Sequence, residues 1–232
     1  MNSKKEKKKG KVISFKYLLY DFVKITGVLP VALFFRTKKY YFDKDTKKKI
    51  KAIKGRRILS MNHQSFLDPI VGQFLFFFRR TYMIAMQDLF NTKLKAWFFP
   101  KVLCIKVDTS NFDLNTIDTF EKANEALQNE KSLAIFPEGH VFRNDQLNSF
   151  KMGTALMAIR AKAPIIPIYF IKRKSYWNRQ RVIFGNPIDV AKIAKENKGK
   201  EAIKKITEAL FDATAILKEH YETNILNKKK KK

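Results

Sequence analysis

The chain has 232 residues, enough for one α/β domain with a core and a small helical appendage. Its single cysteine excludes an intramolecular disulfide and fits a reducing compartment, and with three histidines it argues against a zinc site. The net charge is +27, and it is still about +17 without the Lys-rich ends at 1–11 and 228–232, so the body must meet nucleic acid, an anionic membrane or a phosphorylated substrate.

The amino-terminal 37 residues divide into a charged part and an apolar part. Residues 1–11 predict a solvated basic arm rather than a signal peptide, because no small-residue cleavage site follows them. Residues 12–35 are strongly apolar. Three charges interrupt this run: Lys16, Asp21 and Lys24.

Three charges and a proline in 24 residues argue against a simple membrane span. Gly27 and Pro30 predict that the run breaks into two short segments. We therefore expect residues 12–37 to form a helix or helical hairpin in the interface of an anionic membrane, at its cytoplasmic face. A helix packed on the domain core is the alternative.

Residues 38–222 are predicted to form the main domain, an α/β fold with a mixed, largely parallel sheet flanked by helices, because short apolar runs alternate with amphipathic stretches. Residues 43–54 read as a polar linker, and 223–232 as a basic tail. Cys104 lies in an apolar run, which indicates a core residue rather than a nucleophile. The predicted strands are 39–42, 58–61, 82–86, 102–107, 133–136, 165–170 and 182–184.

The most informative stretch is Asn-His-Gln-Ser-Phe-Leu-Asp at 62–68, between a buried strand and a helical run. His63 and Asp68 are five residues apart, so they meet only if His63 lies in a loop and a helix begins near Ser65. Ser65 stands at capping-box spacing from Asp68. Asp68 then orients one imidazole nitrogen and leaves the other as a base. By itself the pair is also what an ordinary loop and helix start contain.

Two later stretches also end strands in turns. Phe-Pro-Glu-Gly-His at 136–140 presents Glu138 and His140 at a sheet edge, and Arg143 and Lys151 follow it. Pro-Ile-Ile-Pro-Ile at 164–168 has a proline inside a predicted strand, which is typical of an edge strand or a bulge.

Four stretches together resemble the glycerolipid acyltransferases, in particular the bacterial 1-acyl-sn-glycerol-3-phosphate (lysophosphatidate) acyltransferases. They are NHQSFLD at 62–68, FPEGH at 136–140, FKMG at 150–153 and APIIPI at 163–168, in the order and spacing of that family. The likeness covers roughly residues 12–187. It implies acyl transfer from acyl-coenzyme A or acyl-acyl carrier protein to the free hydroxyl of a lysophospholipid, with no cofactor. The scarcity of histidine and cysteine argues against a metal site, and the aromatic residues, mostly Phe in apolar runs, argue against specific nucleic-acid binding.

The resemblance also implies roles for residues that match the family's motifs. His63 would be the general base, oriented by Asp68. Glu138 and Gly139 would belong to the acceptor site. The implied supporting residues, which shape loops or the acyl-facing side, are Asn62, Ser65, Pro137, Pro164 and Pro167.

The positions at which the family usually holds the acceptor's phosphate are altered here. Thr109 stands where an arginine is usual, and His140 and Val141 follow Gly139 in place of Thr-Arg. Cations that compensate would come from Arg143, Lys106 and Lys151. The acceptor is therefore open between lysophosphatidate, another lysolipid and glycerol-3-phosphate. A non-catalytic basic protein that binds membranes or nucleic acid is the alternative from a different class.

Overall fold

A computed structural model of the protein describes residues 17–108, 114–141, 146–175 and 177–226. Seven strands form one sheet in the order β1-β7-β6-β2-β5-β3-β4, and every neighbouring pair is parallel except β6 with β7. The mixed, largely parallel sheet is confirmed, and each predicted strand is found within two residues of its predicted bounds. The strands are β1 Lys38–Tyr41, β2 Arg57–Met61, β3 Thr81–Met86, β4 Cys104–Val107, β5 Ser132–Ile135, β6 Ile165–Ile171 and β7 Arg181–Phe184.

Helices cover both faces of the sheet, because strands such as β2 are buried along their whole length and need apolar partners on each side. One face packs against α1, α2 and α3, and the other against α5, α6, α7 and α8. The helices are α1 Leu18–Phe35, α2 Thr46–Ala52, α3 Asp68–Leu75, α4 Lys93–Lys101, α5 Leu114–Gln128, α6 Gly153–Ala161, α7 Val190–Glu196 and α8 Gly199–His220. A π-helical turn, Tyr221–Leu226, continues α8 into the segment predicted as a tail.

The break predicted at Gly27 and Pro30 is wrong, since α1 is one continuous helix through both residues. Pro30 removes the hydrogen bond to the carbonyl of Thr26, but both residues lie on the exposed side of the helix, where that carbonyl is not trapped in a core. The opposite side packs on α3, and Gly27 is the point at which the ring of Phe74 comes close. Packing therefore holds the helix together where propensity predicted two pieces.

The polar linker predicted at 43–54 contains α2, which is a correction. Asp43 organises its start: the carboxylate accepts from the backbone N–H groups of Asp45 and Thr46 and from the Asn186 side chain. Ile50 then reaches the core. Lysines at four of the seven positions hid this short helix, because one buried apolar residue gives no periodic hydrophobic pattern.

Pro167 does not mark an edge strand, because β6 lies inside the sheet between β2 and β7. The carbonyl of Pro167 accepts from the N–H of Gly185, which directly follows Phe184, the last residue of β7. The nitrogen and the carbonyl of one strand residue point to the same side, so the Pro167 nitrogen also faces the chain beyond the end of β7. The missing N–H therefore falls where the ladder has ended. A methyl group on Gly185 would lie 2.8 Å from the Pro167 ring, so this close approach needs a glycine.

Candidate active site

The site lies at the carboxyl ends of β2 and β5, which are neighbouring parallel strands. β2 runs into the loop that carries His63, and β5 runs into the turn that carries Glu138. Because parallel neighbours end at the same edge, the two motifs, 75 residues apart in sequence, come into direct contact: the backbone N–H of His63 donates to Glu138 Oε1 at 3.2 Å. The carboxyl edge of a parallel sheet is where such folds place their ligands.

The predicted His63–Asp68 pair is present. His63 Nδ1 lies 3.4 Å from Asp68 Oδ2, and the side chains are 13% and 3% exposed. That distance is longer than a strong hydrogen bond, and in unliganded sites such contacts commonly tighten when substrate binds. With Nδ1 held toward Asp68, Nε2 is the nitrogen free to act as a base.

Asp68 also fixes the loop that presents His63. Its Oδ2 accepts from the backbone N–H groups of Gln64 and Ser65, each at 2.7 Å. The reach back to Ser65 is one half of the predicted capping box. The other half is replaced, because Ser65 Oγ accepts from Leu67 N and the helix begins at Asp68 itself. One buried carboxylate thus holds both the imidazole and the loop backbone.

Glu138 is 3% exposed and points into the protein toward the His63 loop. Oε1 accepts from the N–H of His63, and Oε2 accepts from the Asn148 side-chain amide at 3.1 Å. Burial raises the pKa of the carboxyl group, while these hydrogen bonds oppose that change. The structure therefore gives Glu138 a contact with the loop that carries His63.

The His63 ring is also held from the β5 side. It stacks on Phe136, with ring centroids 4.1 Å apart and the planes 23° from parallel. Asn62 anchors the loop on its other side: its side chain donates to the carbonyl of Phe170 at 3.1 Å and accepts from the N–H of Phe170 at 2.6 Å. The amide continues the β2–β6 pairing one residue beyond β2, so the loop-shaping role expected of Asn62 has a physical basis.

The expected cations are placed unequally. Lys151 lies against Gly139, whose φ of +77° suits a glycine, and a methyl group there would lie 2.8 Å from Lys151 Cε. Lys106 is on β4, three strands from β2 and so about 14 Å across the sheet. Arg143 and Thr109 lie outside the described residues.

Pro137 and Pro164 accept backbone hydrogen bonds at opposite ends of the strands. The carbonyl of Pro137 accepts from the N–H of Lys151, which ties the Glu138 turn to the segment before α6. The carbonyl of Pro164 accepts from the N–H of Ile58 at the opposite edge. Neither contact tests the acyl-facing role expected of Pro164 and Pro167. Within the described residues, no group of three or more His, Cys, Asp or Glu side chains is placed to hold a metal ion.

The motifs that form this corner fall within a wider match. A family model described as Acyltransferase matches residues 41–171, more than half of the chain. The chain belongs to the acyltransferase family. The match begins at the end of β1 and includes His63, Asp68, Glu138 and both prolines of β6.

Two similar proteins give the family match more detail. A 1-acyl-sn-glycerol-3-phosphate acyltransferase from Streptococcus pneumoniae is 30% identical over 145 residues, which are 60% of this chain and 53% of that protein. The chain thus spans about half the length of this curated relative. The crystal structure of the 1-acyl-sn-glycerophosphate acyltransferase PlsC from Thermotoga maritima superposes with a TM-score of 0.59 at 17% identity, over 88% of this chain and 80% of that one. This second likeness supports the fold.

Two contacts of the site were not predicted from the sequence. Asn148 completes the hydrogen bonding of Glu138, and Phe136 stacks on His63. Phe136 belongs to the FPEGH motif, so its closeness to the site could have been inferred from the sequence. Asn148 lies in an irregular segment ten residues after Glu138, and no periodic pattern points to it.

Replacing Cys104 by serine is expected to leave acyl transfer within about twofold of the parent rate. Burial raises the pKa of this thiol to about 12, so it is protonated at neutral pH and a poor nucleophile. It also lies on β4, three strands from the His63 strand. A steady-state assay of the folded variant checks this, and a folded but inactive Cys104→Ser protein would indicate a thiol mechanism instead.

Proposed function

We propose that this acyltransferase moves a fatty acyl group from a thioester donor to the free hydroxyl of a lysophospholipid, with lysophosphatidate as acceptor and phosphatidate as product. The observation that carries the proposal is the contact of the His63–Asp68 pair with the Glu138 turn at one sheet edge. The similar protein from Streptococcus pneumoniae supports the choice of acceptor through its name.

The chemistry follows from the held imidazole. An alcohol does not attack a thioester efficiently at neutral pH unless a base removes its proton during the attack. Nε2 of His63 takes that proton, and Asp68 stabilises the imidazolium that forms. The C–O bond forms as the thioester carbonyl becomes an oxyanion, and its collapse releases the thiolate, which recovers the proton from His63. The scheme needs no acyl-enzyme and no cofactor.

The acceptor's phosphate requires cations near the Glu138 turn. Lys151 is the described cation that lies on this turn, and Arg143 is the sequence candidate that follows it. We propose that these two hold the phosphate, with Lys106 too far across the sheet to share it. The ammonium of Lys151 contributes a point charge, whereas an arginine can form two parallel hydrogen bonds to a phosphate. We therefore assign the directional hydrogen bonds to Arg143.

The test is an assay of the purified protein with acyl-coenzyme A and acyl-acyl carrier protein against a panel of acceptors. The panel holds lysophosphatidate, glycerol-3-phosphate and lysophosphatidylcholine, which lacks a terminal phosphate. We expect the highest kcat/KM with lysophosphatidate. Preference for an acceptor without a terminal phosphate would contradict the phosphate assignment, and the absence of transfer with every pair would favour the non-catalytic alternative.

The second part of the proposal concerns the membrane. Within the described residues, α1 is the one helix long and apolar enough to cross a bilayer by length and composition. However, its inner side makes polar contacts with the domain: the Tyr20 hydroxyl donates to Gln73, and Asp21 pairs with Arg80. A helix that crossed the bilayer would have to give these up. We infer that α1 lies in the interface at the cytoplasmic face, with its outer row in the acyl region: Leu18, Phe22, Ile25, Leu29 and Leu33, each at least 54% exposed.

Placing two glutamates on this row, by Leu29→Glu with Leu33→Glu, is expected to weaken binding to anionic vesicles by about 10²-fold or more. Each leucine contributes about 1.5–3 kcal/mol when its side chain is buried. Co-sedimentation with vesicles of phosphatidylglycerol and phosphatidylcholine measures the change.

The matched control places two glutamates on exposed apolar positions of α5 and α8, on the other face of the sheet. These are Ile117→Glu with Ile216→Glu, which lower the net charge by the same amount. The control should bind vesicles within a few-fold of the parent. Equal loss in both variants would attribute binding to net charge alone. A peptide protected on the far side of sealed vesicles would show that α1 spans.

A further inference from the structure

A cavity of about 740 Å³ lies at the edge of the sheet opposite His63, between the amino-terminal half of α1 and the starts of β3 and β5. β3 is six residues long, so roughly 20 Å of strand separates this edge from the active-site edge. The mechanism above uses none of the residues that line the cavity. Four of them are cations: Lys24, Arg79, Arg80 and Lys131.

The carboxylates at this cavity are already engaged. Asp21 accepts from two nitrogens of Arg80, at 2.5 and 3.1 Å. Glu130 accepts from the backbone N–H and the guanidinium of Arg56. Among the described residues, no carboxylate lies within ion-pair distance of the other three cations: Lys24, Arg79 and Lys131.

Lys24 is the most costly of these charges, because its side chain is buried and the residue is only 6% exposed. Its ammonium donates to the hydroxyl of Tyr20 and to the carbonyls of Phe76 and Arg79, which are all neutral groups. Burial lowers the pKa of Lys24 to about 8. The charge of Asp21 opposes this change from a distance, but no carboxylate contacts the ammonium among the described residues. A buried cation without a contacting anion is unfavourable, and an anion bound beside it would offset that cost.

Positive charge continues behind the cavity. Arg57 is 2% exposed, and its guanidinium donates to the carbonyls of Ile50, Ile53 and Gly55. Burial and the neighbouring Arg79 lower the pKa of Arg57 to about 10. Arg79 likewise donates to the carbonyls of Ile53 and Gly55, at 3.4 and 3.3 Å. Both guanidiniums are therefore hydrogen-bonded to neutral oxygens. Arg79, which lines the cavity, also acts at a distance on Glu130, whose pKa its charge helps to lower.

The rim of the cavity is apolar and continuous with the outer face of α1. Ile25 is 64% exposed, and Phe78 is 97% exposed, although phenylalanine is usually among the more buried residues. A ligand that suits both parts carries a phosphate for the cations and hydrocarbon for the rim. A free phosphate would use the cations alone.

We propose that this cavity is a second ligand site, which binds the phosphate of an anionic phospholipid headgroup, with the acyl chains lying along Ile25 and Phe78 toward the outer row of α1. Such a lipid is not the acyl acceptor, because the site is at the other edge of the sheet from His63. Its binding fastens the amino-terminal half of α1 to β3 and orients the domain on an anionic bilayer.

The test uses the full chain in a neutral maltoside detergent, with His63→Ala as background so that turnover plays no part. Dihexanoyl phosphatidate, dihexanoyl phosphatidylcholine and inorganic phosphate are the three probes, and calorimetry measures binding. The cavity variant is Arg79→Gln with Lys131→Gln. The control, Lys200→Gln with Lys205→Gln, removes the same charge from exposed positions on α8.

We expect phosphatidate to bind the cavity variant at least tenfold more weakly than the control, since hydrogen bonds to charged groups are the strong ones. Phosphatidylcholine should bind weakly to both. Equal phosphatidate affinity for the two variants would overturn the site, and inorganic phosphate that binds as tightly as phosphatidate would overturn the lipid assignment.

A second measurement does not depend on the folding of the cavity variant. Amide hydrogen exchange of the parent should slow over residues 77–80 and 130–132 when phosphatidate binds, because these residues line the cavity. Protection confined to the loop around His63 would place the lipid in the acceptor site and contradict the proposal. The binding assay and the acyltransferase assay are independent, so failure of one does not imply failure of the other.

Discussion

Replacing His63 by alanine is expected to lower acyl transfer by 10²–10⁴-fold or more, the usual range for loss of a positioned general base. The ring makes few contacts that the fold depends on: it stacks on Phe136 and faces Asp68. The variant should therefore stay folded and keep its vesicle binding. Steady-state rates with thioester and lysophosphatidate measure the loss, and circular dichroism checks the fold.

Asp68→Asn tests the partner without changing its shape. The amide keeps an oxygen for the N–H groups of Gln64 and Ser65 but loses the charge that stabilises the imidazolium. We expect at least a 10²-fold fall in kcat. The control for the His63→Ala substitution is His220→Ala, which removes an imidazole from α8 on the other face of the sheet and should retain full activity. Near-parent turnover of His63→Ala would exclude His63 as the base.

Glu138→Ala is expected to lower kcat by about 10- to 10²-fold with a smaller change in KM, because Glu138 holds the backbone of His63. Without the carboxylate, the N–H of His63 loses its acceptor, which costs about 1–3 kcal/mol, and the loop that carries the base shifts. Glu138→Gln keeps an oxygen for that N–H, so it should recover most of the rate. A loss seen mainly in KM, in both variants, would instead place Glu138 in contact with the acceptor.

Glu138→Gln is also expected to change how the stability of the fold depends on pH. The folded carboxyl group has a raised pKa, so the folded protein binds a proton more readily than the unfolded chain does. Its contribution to stability is present below the unfolded pKa and is lost as the pH rises through the folded pKa. The free energy of unfolding of Glu138→Gln, relative to the parent, should therefore increase from about pH 4.5 toward neutrality. Thermal unfolding across that range measures the difference.

The sheet could be predicted because its strands are buried on both faces and stand out as short apolar runs, as β2 and β6 show. The meeting of His63 with Asp68 could be predicted because a five-residue spacing permits it only at a strand-to-helix corner. Local sequence thus specified elements whose partners lie nearby or whose burial is complete.

What could not be predicted depends on contacts distant in sequence. The continuity of α1 through Pro30 comes from its packing on α3, fifty residues later, and nothing within the helix indicates it. In the sequence Lys24 interrupts an apolar run, yet in the structure it points inward and donates to the segment after α3. The Asn148 contact with Glu138 joins two irregular segments, which have no periodic sequence pattern that could predict it.

Those inward contacts of α1 bear on how a water-soluble form of the enzyme is to be made. Deletion of the apolar amino-terminal helix would remove Lys24, which donates to the carbonyls of Phe76 and Arg79, and would expose the side of α3 that includes Gln73. α3 is the helix whose first residue, Asp68, aligns the imidazole. Polar substitutions in the exposed outer row of α1 are better suited to such a form, because they leave the contacts of α1 with α3, and so the position of Asp68 beside His63, in place.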